Sequence, residues 1–573
     1  MRLLQKPQLF DFIVLSCFTI LITLQPFYLH GEIEIYEIGL YLPGIEALFD
    51  QLVPYRDFFH LRGPFELYFP AFFMWLFGKQ IAVLSTYFYF GSVFTLFIWV
   101  LIGRQLYSTR FIFYLMVPVL IARTFPRVVF TYWGGFRFAL GALGLLFAIK
   151  YFKSEKIKWI FIAGVFSSLA LFTSIEVGVC SFVGIGGALI FSYFFHIHPR
   201  RKIIKAVLFY ILGNLMILLP YGGYLFLQDA LFPFIESVYA VLVNMQKVIN
   251  PQLMGPTPRN LIEVLMAMTD PFHKNFRHLT PLYFYIVLLV YLVFCIKQKH
   301  LKADQVCFVL IGIYGLTMYC AAFRAIGGSQ FEMALQPEKV LMFFFLEKIL
   351  LQLKNSRQTS VINKSPPLHP PWAITGLIHL VKKYAFFILF VIVFMSSFCY
   401  FIHRYDHRFF SFKWAKNSLL GKNTAYLNPL YRKSAVKLDL RRVKGLTVPA
   451  WQAEEIKQLK TFIQHTTEKN EKIFMFPELG AYYFIIDRPF AGRFPMATFS
   501  WFLQGWHEEL LSDLMEQRPR LAIIAKDPGP SFPQIFFKVK KNREMFEEMM
   551  SYIHTRYKPI TQTHTLLIYQ RIQ

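Results

Sequence analysis

Apolar residues run through this chain in long blocks broken by short charged junctions. The blocks lie at about 10–29, 81–102, 111–122, 136–152, 159–174, 176–196, 206–227, 281–297, 304–322, 338–353 and 384–402. Most are near the length that carries an α-helix through a bilayer core. Inside hydrocarbon, a span must satisfy its backbone polar groups internally, so a helix is the expected form. The third block is short and is read as extending into its flanks. The pattern predicts a polytopic α-helical membrane protein with about eleven transmembrane helices.

The charges between the blocks give the expected orientation. Arg2 and Lys6 precede the first block, and Arg104 and Arg110 follow the second. Lys150, Lys153, Lys156 and Lys158 follow the fourth, Arg200, Arg201, Lys202 and Lys205 the sixth, and Lys297, Lys299 and Lys302 the eighth. Lys354, Arg357, Lys364, Lys382 and Lys383 follow the tenth. All fall on one side if the amino terminus is cytoplasmic and the chain crosses eleven times, since cytoplasmic loops collect Lys and Arg. The odd count then places the carboxy-terminal part outside.

Between spans, 354–383 holds Pro366, Pro367, Pro370 and Pro371 and reads as a cytoplasmic linker. The connection 229–280 is long, as binding loops and lids often are. Beyond 403 the hydrophobicity drops. A helix over 451–466, strands over 472–476 and 482–486, a helix over 508–516, a strand over 521–525, a helix over 543–557 and a strand over 566–570 predict a small α/β domain. Residues 1–402 thus form a transmembrane unit, with a first extracytoplasmic loop at 30–80, and 403–573 an extracytoplasmic α/β domain.

Composition supports this division. The 573 residues are 55% hydrophobic and 18% aromatic, above the usual apolar share of a soluble domain. The first block lacks a small-residue cleavage site and reads as a span rather than a signal peptide. A formal net charge of +26 would point to nucleic acid in a soluble domain, but here the excess sits in the inter-span clusters, and no nucleic-acid partner is expected. The six cysteines, Cys17, Cys180, Cys295, Cys307, Cys320 and Cys399, lie in or beside apolar blocks. They form neither a disulfide framework nor a CxxC metal pattern. The chain has no phosphate-binding glycine motif, no HExxH and no solenoid repeat.

The richest chemistry lies in the first loop. It holds Glu32, Glu34, Glu37, Glu46, Asp50 and Asp57 together with Arg56, His60 and Arg62. Ionisable groups at a membrane are costly and mark functional sites. A carboxylate here, partly buried to lift its pKa, can take a proton from an attacking hydroxyl. The plainer alternative for any one of them is a solvated acidic loop.

The spacing in this loop carries a resemblance. Glu37, Gly39 and Tyr41 are followed by the run Val53, Pro54, Tyr55, Arg56, Asp57, Phe58 and Phe59. Gly63 and Pro64, then Tyr68 and Pro70, then Leu76, Phe77 and Gly78 come next. This resembles the first loop of GT-C membrane glycosyltransferases of the bacterial protein-mannosyltransferase and aminoarabinose-transferase type. Weaker collinear similarity covers 163–178, which includes Glu176, a late loop from Arg324 to Pro337, and tail segments around 472–477 and 482–494. The family's catalytic Asp would fall on Glu37. Here the acid is longer by a methylene and its acidic neighbour is Ile38, which leaves Glu34 as the alternative base. In the late loop, Gly327, Gly328, Ser329 and Gln330 stand where relatives often carry His.

The resemblance implies transfer of a hexosyl or pentosyl group, with inversion, from a polyisoprenyl-phosphate-linked donor. The reaction would occur at the outer face of the bacterial cytoplasmic (inner) membrane. The acceptor would be a glycan, lipid or protein, and membrane lipid would surround the site. Such chemistry needs a cationic cradle for the departing phosphate. Arg123, Arg127 and Arg137 lie in an expected outer connection, against the positive-inside bias, and a guanidinium suits a phosphate ester. Snorkelling beside aromatic anchors is the plainer reading. Arg56, Asp57, His60, Arg62, Glu176 and Arg324 complete the expected substrate-binding set, with Arg56 and Asp57 also placed to pair with each other. No cofactor is implied with certainty. A divalent metal is compatible with such an enzyme, but 111–150 contains no acid to hold one. Two other classes fit the spans: a lipid-linked glycan transporter or flippase, which would place charges near the midplane and show inverted repeats, and a non-catalytic membrane scaffold.

Overall fold

The computed structural model describes residues 5–23, 29, 31–124, 135–248, 262–263, 266, 270, 276–299, 301–322, 334, 336–362, 435–528, 532 and 536–572. Helix α1 (Leu9–Thr23) leads into a first loop that is itself helical, with α2 (Ile35–Gly39), α3 (Leu42–Phe49) and α4 (Phe65–Phe77). Next come α5 (Ile81–Leu106), α6 (Arg110–Thr124), α7 (Phe136–Ser154), α8 (Ile157–Thr173), α9 (Ile175–Phe194) and α10 (Arg200–Leu227). Helix α11 (Leu231–Tyr239) passes through a π turn (Ala240–Asn244) into α12 (Met245–Val248). The helical part ends with α13 (Phe276–Lys297), α14 (Ala303–Ala322) and α15 (Gln336–Ile362).

Helices α1, α5–α10 and α13–α15 fall on the first ten expected spans; the eleventh, 384–402, lies outside the described residues. Four of them, α5, α9, α10 and α14, are long and apolar enough to cross a membrane. The chain is a polytopic helical membrane protein. One boundary differs from expectation: α15 runs on to Ile362, into the segment read as linker. No Gly or Pro interrupts 338–362, so nothing in the sequence stops the helix before Pro366.

Small residues set the helix crossings. A Cβ on Gly164 of α8 would lie 2.3 Å from the Tyr210 carbonyl oxygen of α10, and one on Gly213 would lie 2.1 Å from that of Phe161. Across this contact Ser168 donates to the Asn214 side chain at 2.7 Å and Tyr210 to Ser167 at 3.0 Å. Close backbones and interhelical hydrogen bonds are what hold helices together where lipid removes the hydrophobic drive.

The tail opens with the antiparallel pair β1 (Ala435–Lys437) and β2 (Thr447–Pro449), followed by α16 (Ala450–Thr466). It continues through β3 (Phe474–Phe476), α17 (Gly480–Ile486), a 3-10 turn (Ala497–Phe502), α18 (Gln504–Gln517), β4 (Leu521–Ala525), α19 (Lys540–Arg556), β5 (Tyr557–Gln562) and β6 (Leu566–Arg571). The four-stranded sheet has the order β3-β4-β6-β5, with β3 parallel to β4 and the other pairs antiparallel. The expected strand over 482–486 is instead helix α17, buried throughout. A short continuous apolar run fits either form, and burial on every side removes the alternation that would tell them apart.

The first loop and the tail share one hydrophobic core, which includes Ile38, Phe58, Phe59, Phe476, Phe494 and Trp506. Phe59 sits among the tail rings of Phe494, Phe499, Phe502 and Trp506, with centroids 5.1–6.2 Å away. The Phe59 N–H donates to the Arg493 carbonyl at 2.8 Å, and Gln452 exchanges two hydrogen bonds with the Ile33 backbone. Helices α11 and α12 join the assembly: Trp506 donates to Glu236 at 3.1 Å and Asn542 to the Val248 carbonyl at 2.8 Å.

Candidate active site

Glu37 lies in the first turn of the five-residue helix α2. It is half-buried, and one of its carboxylate oxygens is out of solvent. The chain then turns so that Tyr41 points inward and is fully buried, its ring 4.7 Å from Phe88 and 6.2 Å from His60. The Arg62 guanidinium lies 5.4 Å from the Tyr41 ring centre. A guanidinium over an aromatic face recovers part of the electrostatic stabilisation lost when water is excluded.

Arg62 is held from below. Its Nη1 donates to Glu66 Oε1 at 3.0 Å, and both side chains are under a tenth exposed. Glu66 opens α4. The Tyr55 hydroxyl donates to the Arg62 carbonyl, and Tyr55 itself adopts φ 70°, a conformation rare for a bulky residue and held here by its surroundings. Gly63 fits directly against α8, where a Cβ would lie 2.1 Å from the Phe172 carbonyl oxygen. Burial alone would lower the Arg62 pKa, but Glu66, Tyr41 and Glu37 outweigh it, so the guanidinium is held charged more firmly than usual.

Arg137 arrives from the first turn of α7 and is 3% exposed. Its position follows from a close crossing. A Cβ on Gly91 of α5 would lie 2.5 Å from the Phe136 nitrogen, and Ser92 accepts the Gly135 N–H at 3.0 Å. Gly135, at φ 78°, makes the turn that feeds α7. The groups acting on Arg137 are Arg62, Glu66, Tyr41 and Glu37. Two carboxylates and two guanidiniums therefore act on one buried tyrosine. Burying one charge alone is costly, and the nearby carboxylates offset part of that cost.

His60 is 3% exposed beside this set. One ring nitrogen bonds the Leu40 backbone, while Nε2 has no partner among the described residues. Burial, and then the Arg62 charge, push its pKa down to about 3. The imidazole is neutral at physiological pH and presents a lone pair inside the cluster.

The other expected residues lie elsewhere. Glu34 is exposed, and the carboxylates acting most strongly on Arg62 and Arg137 are Glu66 and Glu37. Arg56 and Asp57 pair through two bonds of 2.8 and 2.9 Å, and Arg56 also donates to the Gln228 carbonyl at 2.9 Å. They pin the loop to the end of α10. Glu176 occupies the first turn of α9, partly buried. The Arg123 side chain, Arg127 and Arg324 lie outside the described residues. Among the described residues, no three His, Cys, Asp or Glu side chains gather as metal ligands would.

Sequence reasoning passed over Glu66 and over Glu478 of the tail, whose charge acts on Tyr36 of α2. Glu66 had a visible signal: an acid four residues after an arginine, within the apolar run FELYFP. Glu478 had none, because it reaches the site from a distant part of the chain.

No family model matches the chain, and no curated protein matches it by sequence. Solved structures do. ArnT from Cupriavidus metallidurans bound to undecaprenyl phosphate aligns with TM-score 0.50 at 9% identity, covering 98% of this chain and 97% of that one. The same protein in its apo state gives 0.49 at 8% identity, with the same coverage. The oligosaccharyltransferase AglB from Archaeoglobus fulgidus, in complex with an inhibitory peptide and a dolichol-phosphate, gives 0.45 at 10%, covering 99% of this chain and 74% of its own. Over nearly its whole length, the chain shares the fold of ArnT.

Proposed function

We propose that the protein transfers a sugar from a polyisoprenyl-phosphate donor to an acceptor at the outer face of the cytoplasmic membrane. The observation that carries this reading is the shared cluster of Glu37, Arg62 and Arg137. An acid able to serve as base lies in one electrostatic unit with two guanidiniums able to hold a phosphate. In the reaction, Glu37 takes the proton of the acceptor hydroxyl. The acceptor oxygen attacks the anomeric carbon, and the bond from that carbon to the phosphate oxygen breaks. The phosphate leaves with the electron pair, and Arg62 and Arg137 stabilise its charge. Attack opposite the leaving group inverts the anomeric centre. Glu66 orients Arg62 without touching substrate.

The undecaprenyl phosphate held by the fold neighbour ArnT supports a lipid-phosphate leaving group here. We assign residues 1–402 to the membrane catalytic unit and 403–573 to an outer domain that roofs it, with eleven crossings and a cytoplasmic amino terminus. Hexosyl and pentosyl donors both suit this reading, and glycan, lipid and protein acceptors all remain within it.

The test uses the full chain in lipid nanodiscs. A panel of undecaprenyl-phosphate-linked hexoses and pentoses is offered with cell-envelope extract, and release of undecaprenyl phosphate is measured. Glu37→Gln should abolish release, and Glu34→Gln should retain it. Full activity of Glu37→Gln would remove the base from this scheme. Donor binding without turnover by the unmodified protein would favour a scaffold, and glycan movement across vesicles without transfer would favour a transporter.

A further inference from the structure

The tail domain brings one acid to the helix that carries Glu37. Glu478 follows β3 and precedes α17, and α17 is set directly against α2. A Cβ on Gly39 would lie 2.8 Å from the Ala481 nitrogen, and one on Gly480 would lie 2.9 Å from the Gly39 carbonyl oxygen. This contact leaves no room for α17 to slide along α2. Glu478, two residues before Gly480, is fixed beside Tyr36 and Glu37, and both feel its charge or act on it. On its other side, Thr498 of the 3-10 turn donates to Glu478 Oε1 at 3.0 Å. Among the described residues, the titratable groups facing Glu478 are therefore Glu37 and Tyr36, with Thr498 as its hydrogen-bond partner.

We propose that Glu478 is a second acid of the Glu37 site, carrying a proton with which it hydrogen-bonds the attacking oxygen of the acceptor while Glu37 removes that oxygen's own proton. This rests on the transfer reaction given above. Two like charges that act on one another disfavour ionisation of both, so one acid keeps its proton. Glu37 lies among guanidiniums, and Glu478 does not, which decides where the proton stays. Partial burial first, and then Glu37, lift the Glu478 pKa to about 8 against the opposing Thr498 bond. The proton of Glu478 is not consumed: the acceptor proton moves to Glu37, and the electron pair leaves with the phosphate. The tail is then part of the catalytic site and not only its roof. It would recognise a hydroxyl-bearing acceptor through a neutral carboxyl donor.

Two measurements test this on the full chain in nanodiscs. Infrared titration should show a protonated-carboxyl band at pH 7 that fades by pH 9 and is missing from Glu478→Gln. Absence of any band sensitive to that substitution would overturn the inference. In the transfer assay, unmodified activity should fall about tenfold from pH 7 to 9 as the protonated fraction falls. Glu478→Gln, whose amide donates at every pH, should reduce that fall to under about twofold. Thr498→Val removes a bond that favours the ionised form and should move the fall to higher pH. If Glu37→Gln is inactive but Glu478→Gln keeps the unmodified pH profile or loses all activity, the role of Glu478 fails alone. If Glu37→Gln is active, both readings fail.

Discussion

Arg62 and Glu66 form an ion pair at 3.0 Å with both side chains almost out of solvent, next to the base candidate. Removing one partner of such a pair leaves an uncompensated charge and typically costs about 3–5 kcal/mol. Replacing both with apolar residues of similar volume often costs little. Glu66→Ala should therefore melt well below the unmodified protein in detergent, whereas Arg62→Met combined with Glu66→Leu should recover most of the loss. If Arg62 also holds the leaving phosphate, the recovered double variant should remain inactive. A stable double variant with normal transfer would reduce the pair to a structural role.

The Gly39–Gly480 contact makes a sharper steric prediction. A methyl on Gly39 would meet the Ala481 backbone at 2.8 Å and the Met496 sulfur at 3.2 Å. Backbone cannot yield as a side chain can, and overpacking of this kind costs about 1–3 kcal/mol. Gly39→Ala should loosen the tail, seen as faster proteolysis at the β1–β2 hairpin and a lower melting temperature. Gly186→Ala in mid-α9 is the control, since nothing lies within 4 Å of its Cβ position, and it should be neutral to slightly stabilising.

These two contacts show what the sequence could and could not reveal. Span positions were legible because a bilayer imposes length and apolarity on each helix separately, and the ten helices fall where the apolar blocks do. The first-loop spacing marked Glu37 and Arg62 because local register survives in the chain. How the site's other half assembles was not legible. Arg137 and Glu478 reach Glu37 through crossings at Gly91 and Gly480, and tertiary contacts leave no periodic trace. Among Arg123, Arg127 and Arg137, nothing in the sequence distinguished Arg137, although its place beside Gly135 fixes it. The run 482–486 misled because complete burial erases the alternation by which a strand is recognised.

Phe59 provides a test of the shared core. It is 2% exposed among four tail rings, and Phe→Ala at such a site costs about 3–5 kcal/mol. The loss should fall on docking rather than on the tail's own sheet. Hydrogen exchange in Phe59→Ala should rise in α2 and α18 while the β4–β6 pairing stays protected. Uniform loss of protection would mean that the first loop and tail unfold as one unit.

His60 sets a pH dependence of opposite sign to that of Glu478. Its pKa is depressed to about 3 from an ordinary value near 6.5, so the unfolded chain binds the proton more readily than the folded one. The stability due to keeping His60 neutral is fully present above pH 6.5 and is lost as pH falls toward 3. Glu478 works the other way: its raised pKa contributes stability below pH 4.5 that is lost as pH rises through about 8. Melting curves of His60→Gln should therefore lose less stability than the unmodified protein between pH 6.5 and 4, with the two converging in relative slope above pH 7. Equal acid sensitivity in the two proteins would mean that His60 is hydrated or already paired in solution, and that its Nε2 is not a buried lone pair.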